Sequence, residues 1–327
     1  MTSGSPALLV RARSAIVTLT LFALASAFSP RSGRGDLIFL SAGNLTDALR
    51  TTAPVGIVAL AMTFVIISAG IDLSVGSLAA LSGIISAKVL VEWKAPGLAP
   101  FAHAAMAAGL GIAACGAIGA LSGVFTATLS IQPFVVTLAG MIGIRGLALW
   151  MSRNERIGLG LGQDAAGVFG NVLSQKSFML GTWIVLAVIL ALVLNRTVFG
   201  RYVQAIGDNS TAASLAGLPV RSVRVAVYAL SGLLSGVAGV LIAARTTSGE
   251  PTSGVALELD AIAVVVIGGA SLAGGRGGIL GTLNGALIIG IVTNILGLRN
   301  VDSNLQLVLK AGIIILAVAL QRRKLSP

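Results

Sequence analysis

The chain has 327 residues, of which 56% are hydrophobic and 10% are charged, and its mean hydropathy is +0.98. A soluble domain of average composition carries about 25% charged residues, so this composition excludes an ordinary soluble protein. Continuous runs of about 20 apolar residues, which suffice to cross a ~30 Å hydrocarbon core, recur along the sequence. They disfavour an outer-membrane barrel, whose strands give short alternating segments. The predicted fold is therefore an all-α, multi-spanning protein embedded in a lipid bilayer.

The formal net charge of +11 does not indicate a nucleic-acid partner, because the excess falls in segments that flank the apolar runs. The one cysteine, Cys115, lies within an apolar run, so an intrachain disulfide is excluded. Glycine contributes 42 residues, which suits helices that pack closely through small residues in lipid.

About ten transmembrane helices are predicted. The run at 259–272 is short for a full crossing, and the run at 14–29 also fits a secretory signal peptide, because Ala25-Ser26-Ala27 follows a short apolar core. An uncleaved first helix is favoured because many spans follow. The predicted spans are residues 14–29, 54–71, 74–92, 102–126, 134–151, 179–196, 223–245, 259–272, 279–298 and 304–321.

Basic residues flank the first and the last predicted span directly, which predicts that both termini are cytoplasmic. This orientation places the polar segment 198–222 in the cytoplasm and the loop 152–178 outside. The flanking residues are Arg11 and Arg13 near one end and Arg322, Arg323 and Lys324 near the other.

Residues 65–85 and 265–289 resemble one another weakly, since each runs from apolar to Gly/Ser-rich and back to apolar. Transporters are often built from internal repeats whose helices break at corresponding places. A shared small-residue turn composition explains the similarity equally well, so both explanations stay open.

Three polar residues are candidates for a translocation route. Asp72 lies between two apolar spans, where a carboxylate is costly and functional by default; the alternative is that it caps the next helix. Asn284 and Asn294 lie within one predicted span. Their amides either join helices by hydrogen bonds or hydrate a substrate route.

Two basic residues also fall within predicted spans. Arg145 lies deep in its span, where it either faces a polar pathway or pairs helices. Lys310 lies nearer a span end, so we expect its ammonium group to snorkel to the interface.

No motif for enzyme chemistry is present. The glycine-rich runs at 158–162 and 274–278 resemble phosphate-binding loops only superficially, because a P-loop needs GxxxxGK[ST] after a strand, and the chain contains none. HExxH, CxxC and GxSxG are also absent. We therefore predict no enzyme activity, no cofactor and no metal site. If transport uses ATP, another chain must hydrolyse it.

The polar segment at 195–224 is strongly basic and separates two membrane-length runs, which indicates a surface that a partner contacts. Its one acid is Asp208, and its basic residues are Arg196, Arg201, Arg221 and Arg224.

The middle of this segment predicts a short helix. Asp208 or Ser210 can cap its start, Ala212 and Ala213 favour the helical conformation, and Gly217 ends it. The alternative is a solvated loop that anchors two helices.

Three separated motifs resemble one family. They are GIDLSVGSLAALSG (70–83), GRYVQAIGDNSTAASLAGLPV (200–220) and ELDAIAVVVIGGASLAGGRGGILGTLNGALIIG (258–290). In this order they resemble the ribose-type permease subunits of bacterial ATP-binding-cassette (ABC) sugar importers, and the similarity covers about residues 45–320.

The resemblance implies a single permease domain (residues 1–327) in the bacterial inner membrane that imports a ribose-like pentose or a hexose by alternating access. Its partners would be a second permease subunit (identical or different), a periplasmic sugar-binding protein and a cytoplasmic ABC ATPase. In the family a short cytoplasmic helix fits into a groove on the ATPase. Here the matching residues are Gly207, Asp208, Asn209, Ala212, Ala213 and Gly217.

Other interpretations of the sequence stay open. An ABC permease of the same architecture could carry a branched-chain amino acid or a furanosyl signalling molecule. An ion-coupled secondary transporter would use Asp72, Arg145 and Lys310 as its coupling charges. A membrane scaffold is disfavoured by the intramembrane polar residues.

Overall fold

The computed structural model describes residues 6–93, 97–129, 131–160 and 162–322. Arg323 and Lys324, on which the predicted orientation partly rests, lie outside the described residues. Only the backbone of Arg11, Arg13 and Arg322 is described.

The described residues form helices joined by turns and longer irregular loops, with a 3-10 helix at Ile38–Leu40 and one two-stranded antiparallel pair. The helices are α1 (Pro6–Ala27), α2 (Ala42–Ile67), α3 (Val75–Glu92), α4 (Pro100–Thr128), α5 (Pro133–Met151), α6 (Ala165–Leu173), α7 (Lys176–Arg196), α8 (Val198–Asp208), α9 (Ser210–Leu215), α10 (Val220–Thr246), α11 (Leu257–Ile267), α12 (Ile279–Leu298) and α13 (Ser303–Arg322); the strands are β1 (Ile157–Gly158) and β2 (Ser248–Gly249).

Within the described part of the chain, seven helices are long and apolar enough to cross a membrane: α2, α3, α4, α5, α7, α10 and α12. The chain is thus an all-α membrane protein. Of the other predicted spans, 259–272 corresponds to the 11-residue α11, and 14–29 to the apolar part of α1, Ile16–Ala27. The span 304–321 corresponds to α13, which has 20 residues. Ten crossings and the placement of the termini stay predictions.

Helix α2 lies at the centre of the bundle and packs against α7, α10, α11 and α12. It begins twelve residues before the predicted start at residue 54, because its polar first turns find partners. The Asn44 and Asn294 side chains form hydrogen bonds with each other. Asp47 Oδ2 forms an ion pair with Lys176 Nζ at 2.9 Å. The prediction had treated these polar residues as loop.

Helices α4 and α10 approach each other through glycine. A Cβ on Gly232 would overlap the carbonyl oxygen of Cys115, and a Cβ on Gly119 would overlap that of Tyr228. Small residues let helix backbones come this close in lipid, where van der Waals contact drives association.

The helix pairs α2–α3 and α11–α12 are interrupted at residues 68–74 and 268–278, and both interruptions begin with the same turn. Gly70 N–H donates to Val65 O at 2.9 Å, and Ala270 N–H donates to Val265 O at 3.2 Å. In each, the preceding residue has a positive φ, 60° at Ala69 and 93° at Gly269, as in a Schellman cap. The similarity between 65–85 and 265–289 therefore extends to hydrogen bonding at this turn.

The outer loop predicted at 152–178 contains a helix that the sequence did not indicate. Helix α6 is capped by Asp164, whose Oδ1 accepts from Gly167 N–H at 2.9 Å. Strand β1, in the same loop, pairs with β2 just beyond α10, so this loop is tied to the bundle.

Candidate functional site

Most of the polar segment 198–222 folds as two helices, α8 and α9, separated by one extended residue; its last residues form the start of α10. Asn209 (φ −158°, ψ 100°) caps α9, and its Oδ1 accepts from Ala212 N–H at 2.9 Å. The prediction that Asp208 or Ser210 provides the cap is wrong. Because α8 continues through Asp208 and α9 starts at Ser210, only Asn209 has the extended backbone that a capping residue adopts.

The end of α9 is as predicted. Gly217 has φ +80°, and Leu218 N–H donates to Ala213 O at 3.1 Å while Gly217 N–H donates to Ser214 O at 3.0 Å. These two bonds form a Schellman cap, which favours glycine at the left-handed position.

Of the six predicted coupling residues, four are exposed and two are buried. Asp208, Asn209, Ala212 and Gly217 are exposed, whereas Gly207 and Ala213 are buried within the chain. Beside them, Leu215 is 85% exposed at the end of α9. Singly exposed apolar side chains are common on protein surfaces, so this exposure alone does not identify a contact. Leu215 was not among the residues predicted from the sequence.

Gly207 lies at a backbone contact between three segments, which we call the glycine junction (Ile67, Ala69, Gly207, Gly274 and Gly275). Gly275 N–H donates to Ile67 O at 2.9 Å. A Cβ on Gly207 would overlap Ile67 O, and a Cβ on Gly274 would lie 2.6 Å from Gly207 O and 2.8 Å from Ala69 Cβ. The polar segment is thereby in direct contact with both helix interruptions.

Asp72 is 1% exposed, and its carboxylate accepts three hydrogen bonds. Oδ1 accepts from Ser74 N–H at 2.9 Å and Ser74 Oγ at 2.6 Å, and Oδ2 accepts from Ser231 Oγ at 2.6 Å. Asp72 therefore accepts a backbone N–H immediately before α3, as the capping alternative expected, although Ser74 rather than Asp72 flanks the first residue of that helix. Through Ser231 it also joins the first interruption to α10.

The two asparagines of α12 join helices. Asn294 and Asn44 exchange two side-chain hydrogen bonds of 2.9 and 3.0 Å, which link α12 to α2. Asn284 Oδ1 accepts from Thr18 Oγ1 at 2.7 Å, which links α12 to α1. These contacts agree with the helix-joining alternative for buried amides.

The two intramembrane basic residues hold α11 and the turn before it. Arg145 Nη1 donates to Pro251 O and to Ser253 O, both at 2.6 Å. Lys310 Nζ forms an ion pair with Asp260 Oδ2 at 3.1 Å, and its side chain is only 14% exposed. The prediction that Lys310 snorkels is therefore wrong, because α11 supplies a carboxylate within reach.

Among the described residues, no group of three or more His, Cys, Asp or Glu side chains could hold a metal ion.

Comparison with known proteins gives consistent matches over most of the chain. Residues 44–318 match a family described as the branched-chain amino acid transport system / permease component. The ribose import permease protein of Escherichia coli strain K12 is 40% identical over 320 residues, covering 97% of this chain and 95% of that protein. The ribose import permease protein of Bacillus subtilis is 41% identical over 292 residues, covering 88% and 87%.

A third relative is the L-arabinose ABC transporter permease protein of Azospirillum brasilense, which is 36% identical over 303 residues and covers 93% of this chain and 85% of its own. The comparison with solved structures found no match.

Proposed function

The chain belongs to the family of ABC importer permeases that includes the ribose permeases, and we propose that it moves its sugar by alternating access driven by a separate ATPase. It is a monosaccharide importer permease, a multi-pass protein of the bacterial inner membrane. It is the transport subunit, and permeases of this family work with an ATPase and a periplasmic binding protein. Which ATPase, which binding protein and which sugar this chain works with is part of what we propose.

The proposal rests on one structural connection: α9, which is largely exposed, is joined through α8 to the glycine junction. A force applied to Leu215 or Ala212 passes through α8 to Gly207, whose neighbours are backbone atoms of both helix interruptions. Close-packed backbone transmits displacement because it has no rotamer freedom to absorb it. The segment is thus suited to couple an external motor to the membrane helices.

The proposed cycle follows from this connection. Loaded binding protein binds the outer loops, ATP binding closes two ATPase domains, and the α9 helices move with them. The glycine junction passes that movement to α2–α3 and α11–α12, and the two permease subunits rock around a route at their common axis. In the proposed topology the chain, one domain over residues 1–327, crosses ten times, with 198–222 in the cytoplasm and 152–178 outside.

The three route candidates, Asp72, Asn284 and Asn294, are better assigned to helix positioning. Each forms a hydrogen bond between two segments, and Asp72 is sealed from solvent. We keep them as residues that support the route.

The test is uptake of D-ribose by proteoliposomes that contain the permease with its cognate ATPase and binding protein. We expect accumulation that requires both ATP and the binding protein. Uptake that continues without ATP but disappears with the ion gradient would replace this proposal with secondary transport. L-leucine is tested in parallel, because the matched family is described for branched-chain amino acids; uptake of leucine alone would change the cargo.

A further inference from the structure

The stretch between β2 and α11, residues 250–256, is irregular and runs inside the bundle. A Cβ on Gly249 would lie 2.9 Å from the carbonyl oxygen of Gly83, and a Cβ on Gly254 would lie 2.7 Å from that of Gly76. Gly83 and Gly76 are seven residues apart on α3, a rise of about 10 Å. The stretch therefore descends by about that distance along α3 before α11 begins.

This descent explains why the predicted span at 259–272 is short. The crossing combines an irregular half, 250–256, with the 11-residue α11. Arg145 holds the irregular half in place through the carbonyl groups of Pro251 and Ser253.

The rest of the chain covers the stretch on one side only, where Pro251 is buried. Val255 is 70% exposed, and Thr252 is exposed as well. Irregular backbone at membrane depth is tolerated only where protein buries it or where it lines a water-filled cavity, since lipid offers no hydrogen bonds. The exposed side of 250–256 therefore does not face hydrocarbon.

Charged side chains gather beside the stretch on α5, α11 and α13. Asp260 is already paired with Lys310. Glu258 is partly exposed; its carboxylate lies near the backbone N–H groups of Glu258 and Ala256 and within electrostatic range of Arg145, and its Oε2 lies against Gly76 of α3. Intramembrane ionisable groups face a bundle interior or an aqueous cavity and mark substrate pathways.

We propose that residues 250–256 and Glu258 line the outer half of a water-filled sugar route, in which the Glu258 carboxylate accepts hydrogen bonds from sugar hydroxyl groups. A carboxylate has about four lone-pair sites, so Glu258 retains acceptor capacity beyond these backbone N–H groups. Arg145 is a positioning residue, because its Nη1 is directed to the loop carbonyls. The sugar assignment rests on the proposed function; the aqueous character of the stretch does not.

The first test is thiol accessibility in the complete importer, with ATPase and binding protein present. Val255→Cys is compared with Val188→Cys on α7, where the valine is 55% exposed on an apolar helix. The native Cys115 is buried, so the unsubstituted protein serves as the blank. A charged, membrane-impermeant methanethiosulfonate should label Val255→Cys at least about tenfold faster, because a thiol in hydrocarbon does not ionise. Equal rates would overturn the aqueous route.

The second test separates the route from the cargo. Glu258→Gln should lower D-ribose uptake per ATP about tenfold, as expected for loss of a charge-assisted hydrogen bond, while labelling of Val255→Cys stays unchanged. Glu92→Gln, at the exposed end of α3, is the control. Wild-type uptake in Glu258→Gln would overturn the carboxylate contact. If the unsubstituted importer takes up no ribose yet Val255→Cys is labelled, the proposed cargo fails and the aqueous stretch stands.

Discussion

Adding one methyl group at the glycine junction should weaken the protein and uncouple it. In Gly207→Ala the new Cβ would overlap Ile67 O and lie 2.6 Å from Gly275 N and 2.9 Å from the carbonyl carbon of Ile67. All three are backbone atoms of other segments, so no side chain can turn away. The helix interruption must move instead.

The size of the effect follows from two opposing contributions. An extra methylene in a packed interior typically costs about 1–3 kcal/mol, and backbone obstacles place Gly207→Ala at the upper end. Replacing helical glycine by alanine returns up to about 1 kcal/mol. The expected net loss is about 2 kcal/mol, or a fall in Tm of roughly 3 °C for a chain of this length.

The matched control is Gly181→Ala on α7, where nothing lies within 4 Å of the added Cβ. Tm is measured by thermal unfolding in detergent, and coupling by sugar transported per ATP hydrolysed in proteoliposomes. Gly207→Ala should lower both quantities, and Gly181→Ala should lower neither. If the two variants share the same Tm and the same coupling ratio, the reasoning about the junction is refuted.

Three further predictions concern residues outside the junction. Leu215→Asp, on an 85% exposed side chain, should lower ATPase binding in a pull-down while Tm is unchanged; undiminished binding would place the contact elsewhere. Lys310→Met should lower the free energy of unfolding by about 3 kcal/mol because it leaves the Asp260 charge unpaired. Adding Asp260→Leu to Lys310→Met should recover most of the lost stability. A double variant no more stable than Lys310→Met would contradict the pairing. Ser231→Ala should cost about 1–3 kcal/mol because it removes a donor from buried Asp72, and thermal unfolding that matches the unsubstituted protein would contradict this.

Part of this structure could be predicted from the sequence, because the length of an apolar run and the backbone freedom of glycine are local properties. The spans in the middle of the chain and the end of α9 at Gly217 were found this way. The capping residue was missed because Asp208, Asn209 and Ser210 are adjacent and all can cap; only the extent of α8 decides among them.

The remaining differences arise from contacts between residues far apart in the chain. Lys310 was expected at the interface because its partner Asp260 is fifty positions away. The route candidates were chosen for polarity alone, and polarity does not distinguish an amide that meets Asn44 from one that faces water. The irregular stretch 250–256 has no periodic pattern, so its depth along α3 could not be predicted.

The Asn44–Asn294 pair has a consequence for how the protein is made. The two residues are 250 positions apart, so α2 enters the membrane long before its partner is synthesised. Asn44 lies in the first turn of α2 and Asn294 in the last turns of α12, so both lie near helix ends rather than in the middle of the hydrocarbon. Each amide can stay hydrated at the headgroups until the other arrives. The pair can therefore form as a late step of assembly, without exposing a bare amide to lipid tails at any earlier stage.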